Sequence, residues 1–256
     1  MSVADSSIHG QWSGRWAFIM AATGAAVGLG NIWKFPYIVG ENGGGAFVLV
    51  YLATLALVGV PVLMAEVMLG RRGRLCPVNT IRCLAREERA SPFWQLAGWS
   101  GMIAGILILS FYSVIGGWVL AFLARAVVGT FTGLTADGVT NIFRTLTQDP
   151  ERLLAWHTIF MAMTMMVVAY GVRRGIDRIV RVLMPLLMIM LLLLVAYSWQ
   201  TSYFNRAIEF LFTPDFSQLT RQGVLVAMGH AFFTLSLGVG TMMMYGAYLP
   251  QNSSIA

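Results

Sequence analysis

Apolar runs alternate with short polar stretches along the whole chain, and the runs fall at residues 15–39, 46–70, 93–128, 153–171, 179–199 and 222–249. Each reaches the roughly 17 residues that a helix needs to cross about 30 Å of hydrocarbon. The pattern therefore predicts an all-α integral membrane protein with six crossings. Two of the runs are interrupted. The first carries Gly24, Gly28, Gly30 and Asn31, and the last carries Ser236, Gly238 and Gly240.

An interruption has a strong consequence inside a membrane. Backbone groups dropped from a helix cannot face lipid, so an opened turn must line a protein-enclosed or wet cavity. Glycine lets the chain leave helical φ/ψ and puts no side chain between a ligand and the bared amides and carbonyls. The same Gly-x-Gly spacing also suits a close packing groove between helices. At the second interruption Thr234 offers a hydroxyl and a carbonyl oxygen, although such a hydroxyl usually bonds back to its own helix. Two discontinuous helices together supply half-helix N-termini for a carboxylate and exposed carbonyls for a cation. Asn31 adds an oxygen of the kind a hard cation requires.

Composition supports the membrane reading, since 57% of the 256 residues are hydrophobic and 11% charged, too apolar for a soluble domain of this length. The net charge of +6 suggests no nucleic-acid partner, because the basic residues sit in loops rather than on one face. They report topology instead. Arg71, Arg72, Arg74, Arg82, Arg86 and Arg89 crowd one loop, and Arg173, Arg174, Arg178 and Arg181 another, so both are expected on the cytoplasmic side with both termini. The loops at 129–152 and 201–221 have balanced charge and are expected outside. The stretch 1–14 has no basic n-region or small-residue cleavage site and is expected to stay attached as a cytoplasmic segment.

Little points to catalysis. Cys76 and Cys83 share a reducing inner loop at a spacing that fits no metal pattern, so they read as free thiols. His9, His157 and His230 are scattered, and the methionines at 161–166 and 242–244 read as packing filler. No nucleophile elbow, phosphate loop or paired-histidine motif is present, so the chain is not expected to be an enzyme.

The string ATGAAVGLGNIWKFPYIVGENGGGAF at 22–47 resembles the first helix of the neurotransmitter:sodium symporters, the family that includes the bacterial leucine transporter. HAFFTLSLGVG at 230–240 is similar to that family's second broken helix, and RGIDRIVRVLMPLL at 174–187 to its turn into a Met-Pro helix. GRRG at 70–73 and the spacing of Phe111, Tyr112 and Trp118 also match. The likeness runs from about Trp12 to the end of the chain. It implies the first half of an inverted-repeat fold: a first five-helix repeat at 15–199, an extracellular loop at 200–220, the first, broken helix of a second repeat at 221–249, and a cytoplasmic end at 250–256.

The resemblance also implies roles. One sodium ion would be held by the Ala26 carbonyl, Asn31 and Thr234, and a second by the carbonyls of Gly24 and Val27, with ligands for it still to be supplied. A substrate carboxylate would meet amides near Leu29 and Gly30 and the Tyr112 hydroxyl, with its side chain against Val27, Ile108, Phe233, Ser236 and Val239. Trp12, Lys34 and Phe233 would belong to gates; Lys34 is the only lysine in the chain, and snorkelling to the interface is its simpler reading. Carriers of monoamines in this family have an aspartate at the position of Gly28, so glycine there implies an amino acid, with an apolar side chain, as substrate. Glu66, near the inner end of the second run, reads as a structural hydrogen-bond hub.

Departures from the family are equally specific. An arginine usual before the tryptophan is His9 here, and a glutamine usual in the second break is His230, which leaves chloride, shared with Tyr51, open. The family's fold continues through a second repeat, so the reading expects a fragment or a truncated product lacking a C-terminal half. The expected setting is a cell membrane, the inner membrane of a bacterium, with lipid, an amino acid and the other half as partners and a second copy of the chain held open. The function implied is sodium-coupled symport of an apolar L-amino acid; a degenerate, non-transporting subunit is the alternative.

Overall fold

The computed structural model describes residues 12–250, and these are helical almost throughout. Helix α1 (Arg15–Ala26) is followed by a single π-helical turn (Gly30–Lys34) and α2 (Phe35–Glu41), with Pro36 in the first turn of α2, where a missing N–H costs nothing. A glycine turn leads to α3 (Gly45–Thr54), a second π-turn (Leu55–Gly59) and α4 (Val60–Gly73). Then come α5 (Pro77–Glu87), the long α6 (Gln95–Val127), α7 (Ala136–Thr147), α8 (Pro150–Ala169), α9 (Asp177–Trp199), α10 (Phe204–Phe212), α11 (Arg221–Thr234) and α12 (Thr241–Ala247).

Among the described residues four stretches are helical, long and apolar enough to cross a membrane: Gly45–Gly73, Pro92–Val127, Pro150–Ala169 and Arg174–Trp199. A fifth is added if Arg15–Ala26 and Gly30–Glu41, bent by 49° at the break, count as one span. The pattern predicts six crossings with the first and last interrupted, and the last run is divided between α11 and α12, each shorter than a full span. Ser236, Gly238 and Gly240 take φ of 52°, 78° and 84°, which turns the chain out of helix between α11 and α12. Three stretches expected as loops also contain helices, α5, α7 and α10. Each is too short to register as a span, and each is amphipathic.

The chain divides into two compact units, Ile103–Gly171 and the remainder on either side of it. In the larger unit α4 and α12 meet backbone to backbone. A Cβ at Gly70 would stand 1.8 Å from the Met243 carbonyl oxygen, and one at Gly246 2.3 Å from that of Val67, so only glycine admits this approach. Around it lies a core of Trp12, Ala17, Ala21, Val67, Met242 and Leu249. A second core joins α2 and α3 to α11 through Val39, Phe47, Tyr51, Ala227 and Ala231. The smaller unit packs α6 on α8 at Gly116 and Gly117, where a Cβ would meet the Phe160 ring and the His157 backbone, and Trp118 lies edge-on to Phe143 of α7.

Candidate substrate and cation site

The first break is built from the end of α1. Val27, with φ −91° and ψ 82°, leaves helical geometry, and Asn31 sits in the π-turn that follows. The carbonyl of Ala26, the last residue of α1, takes a hydrogen bond from the side chain of Asn31, whose Nδ2 donates to it at 2.6 Å. An amide side chain thereby satisfies an acceptor that the interrupted helix leaves open.

Asn31 reaches the second break with its other end. Thr234, buried at the end of α11, donates its hydroxyl to Asn31 Oδ1 at 2.9 Å rather than to its own helix. Tyr51 of α3 in turn donates to Thr234 Oγ1 at 3.1 Å. The amide, hydroxyl and carbonyl oxygens of Asn31, Thr234 and Ala26 are therefore linked within one hydrogen-bonded row. Neutral oxygens of this kind suit a hard monovalent cation, and no cluster of three His, Cys, Asp or Glu residues exists among the described residues to suit a softer one.

The other residues expected at the site lie on several elements, and the larger and smaller units each hold some of them. Gly24, Val27, Gly28, Leu29 and Gly30 line the first break, with Gly30 buried and the rest partly so. Ser236 and Val239 occupy the second, and Phe233 lies just before it, its ring 6.0 Å from that of His230. Ile108 and Tyr112 stand one helical turn apart on α6 in the smaller unit, both partly buried. Lys34 is exposed and holds its ammonium 4.6 Å from the centre of the Tyr37 ring, while the Tyr37 hydroxyl bonds the Glu41 carboxylate. Trp12 is 4% exposed; its indole N–H donates to the Tyr245 carbonyl at 3.0 Å and its backbone N–H to that of Tyr248 at 3.2 Å. His9 lies outside the described residues.

Three contacts could not be read from the chain. Glu66 of α4, only 8% exposed, accepts the backbone N–H of Gly238 at 2.7 Å and so holds the turn between α11 and α12. His230 stacks on Phe35 at 5.1 Å, which ties α11 to α2. Arg181 spans from Asp177, at 2.8 Å, to the Ser13 hydroxyl beside Trp12. Cys76 and Cys83 are both free thiols.

Four helices of membrane-spanning length and apolar composition, or five with the bent pair, define a multi-pass membrane protein. Residues 9–145 and 147–256 match the model of the sodium:neurotransmitter symporter family, and the chain belongs to that family, one of transporters rather than enzymes. It is 43% identical over 245 residues to the uncharacterized sodium-dependent transporter YhdH of Bacillus subtilis (strain 168), covering 96% of this chain and 53% of that protein. An uncharacterized sodium-dependent transporter of Haemophilus influenzae is 33% identical, with 95% of this chain and 55% of that protein covered. Among solved structures, that of MhsT in complex with L-phenylalanine superposes with a TM-score of 0.88 at 44% identity, covering 96% of this chain and 55% of that one. The chain thus spans about half the length of the relatives it matches.

Proposed function

We propose that the chain works within a sodium-coupled symporter for an apolar L-amino acid in a cell membrane. The observation that carries this reading is the linked oxygen set of Ala26, Asn31 and Thr234 at two facing breaks. A sodium ion would take its oxygens from those three residues, and a second would draw on the carbonyls of Gly24 and Val27. The substrate carboxylate would sit beside the first ion near the amides of Leu29 and Gly30, with its side chain against Val27, Phe233, Ser236 and Val239. Family membership and the phenylalanine bound by MhsT support an amino acid, as does Gly28, which offers no carboxylate to an amine. In this reading each of the six apolar runs crosses once, with the arginine-rich stretches at 71–91 and 172–181 inside.

The test is binding of labelled L-phenylalanine to membranes that hold this chain together with the C-terminal half of MhsT. Binding should need sodium, and unlabelled L-leucine should displace the label while phenethylamine does not. Displacement by the amine, or binding indifferent to sodium, would sink the proposal.

A further inference from the structure

The direction of the hydrogen bonds around Asn31 is fixed by the groups that make them. A carbonyl only accepts, so Asn31 presents Nδ2 to Ala26 and therefore Oδ1 to Thr234. An amide oxygen cannot donate, so the one proton of the Thr234 hydroxyl lies on the 2.9 Å line to Asn31. With that proton committed, Thr234 can only accept from the Tyr51 hydroxyl. The row points one way, from Tyr51 through Thr234 and Asn31 to Ala26.

A cation bound by these oxygens needs the opposite arrangement. It is attracted to lone pairs on Thr234 and Asn31 and repels a hydroxyl proton held between them. Thr234 must then turn its proton toward Tyr51, whose oxygen is 3.1 Å away. Tyr51 can accept there only if its own proton swings to another acceptor.

One acceptor stands ready beside Tyr51. The His230 ring centre is 5.8 Å from that of Tyr51, and its Nε2 is buried without a hydrogen-bond partner. Phe35 stacks on one side of this imidazole and Phe233 lies at 6.0 Å. An unpaired ring nitrogen among aromatic walls is unfavourable, and a phenyl ring would fill the space without that penalty. We propose that His230 is a positioning residue for the cation site: when the cation binds, the row reverses, with Thr234 donating to Tyr51 and Tyr51 to His230 Nε2. Hydrogen bonds turn, and no proton changes owner. The inference rests on the sodium reading of the Ala26, Asn31 and Thr234 oxygens.

The test is equilibrium binding of radioactive sodium to the purified chain completed by the C-terminal half of MhsT in lipid nanodiscs, with circular dichroism as the check on folding. His230→Phe should weaken sodium binding about tenfold, the size of one unmet buried hydrogen bond, and His230→Gln, which keeps an acceptor, should stay within about threefold of the unaltered chain. Tyr51→Phe should weaken it as much as His230→Phe. The double substitution should be no weaker than Tyr51→Phe alone, because without the tyrosine proton His230 has nothing to accept. Additive losses, or sodium binding unchanged in His230→Phe, would overturn the proposal, and His230→Leu serves the same comparison if the phenylalanine variant does not fold. Asn31→Ala separates the two ideas. If it leaves sodium binding intact, or the unaltered chain binds none, the site reading fails and takes this one with it; if it abolishes binding while His230→Phe has no effect, only the reversing row fails.

Discussion

Glu66 Oε1 receives the backbone N–H of Gly238 at 2.7 Å, so a buried carboxylate on α4 pins the turn that separates α11 from α12. The turn has few other ways to be held, because Gly238 and Gly240 are both left-handed and bring no side chains. Glu66→Ala should leave that amide unmet and lower stability by about 1–3 kcal/mol. Glu66→Gln keeps an oxygen for Gly238 and gives up only Oε2, which has no partner, so its effect should be small. Thermal unfolding of both variants in detergent would separate the two, and equal losses would argue that charge rather than the amide bond is what counts.

The cross-break link makes a prediction of its own. Thr234→Val keeps the shape of the side chain but removes the proton given to Asn31 and the oxygen offered to Tyr51. The buried Tyr51 and the half-buried Asn31 are both stranded, so sodium-dependent binding should weaken more than in Thr234→Ser, which retains the hydroxyl. Serine should remain within about 1 kcal/mol of threonine. Sodium titrations of amino-acid binding, with the chain completed by the C-terminal half of MhsT, provide the comparison.

The packing of α4 on α12 predicts a steric effect with no chemistry in it. Gly70→Ala would drive a methyl group into the Met243 carbonyl, at 1.8 Å in the present geometry, and Gly246→Ala into that of Val67 at 2.3 Å. Both obstacles are backbone, so neither can swing aside, and at least the 1–3 kcal/mol typical of overpacking should be lost. Gly28→Ala meets nothing within 4 Å and should leave stability nearly unchanged. Unfolding temperatures in one detergent would show the contrast.

These residues also show what the chain discloses by itself. The breaks were legible because glycine and asparagine are conspicuous in apolar runs, where every backbone group has to be satisfied. Which oxygen bonds which was not. Thr234 could have bonded back to α11, and its choice of Asn31 depends on residues 203 positions apart being brought together. Tyr51 is legible beside His230, and Glu66 as a hydrogen-bond hub, but their partners, Thr234 and the Gly238 amide, are not. The short helices α5, α7 and α10 leave no apolar run of membrane length in the sequence, because they are amphipathic stretches of 11, 12 and 9 residues. Ser236 in a left-handed conformation could not have been singled out either, since that region disfavours side chains and is imposed by the turn around it.

Trp12 supplies the last prediction. Its indole and backbone N–H groups both donate to α12 carbonyls or their immediate successor, at Tyr245 and Tyr248, and its ring meets that of Tyr245 edge-on at 5.4 Å. The neighbouring Ser13 is exposed and bonded by Arg181, which is itself anchored on the buried Asp177. Two tethers therefore hold the chain just before α1: one aromatic and buried, the other a surface hydrogen bond from Arg181 to the Ser13 hydroxyl. A single hydrogen bond to an exposed hydroxyl contributes little, so Trp12 should be the dominant tether. Replacing Gly14, which is exposed and where a Cβ meets nothing within 4 Å, by cysteine in a chain whose Cys76 and Cys83 are serines gives a single reporter thiol and leaves Ser13 in place. Its modification by a charged methanethiosulfonate should speed up several-fold on Trp12→Ala, less on Trp12→Phe, which keeps the ring contacts and loses the indole hydrogen bond, and least on Arg181→Gln. A reversed order, with Arg181→Gln freeing the reporter most, would show that the Arg181 hydrogen bond governs the segment.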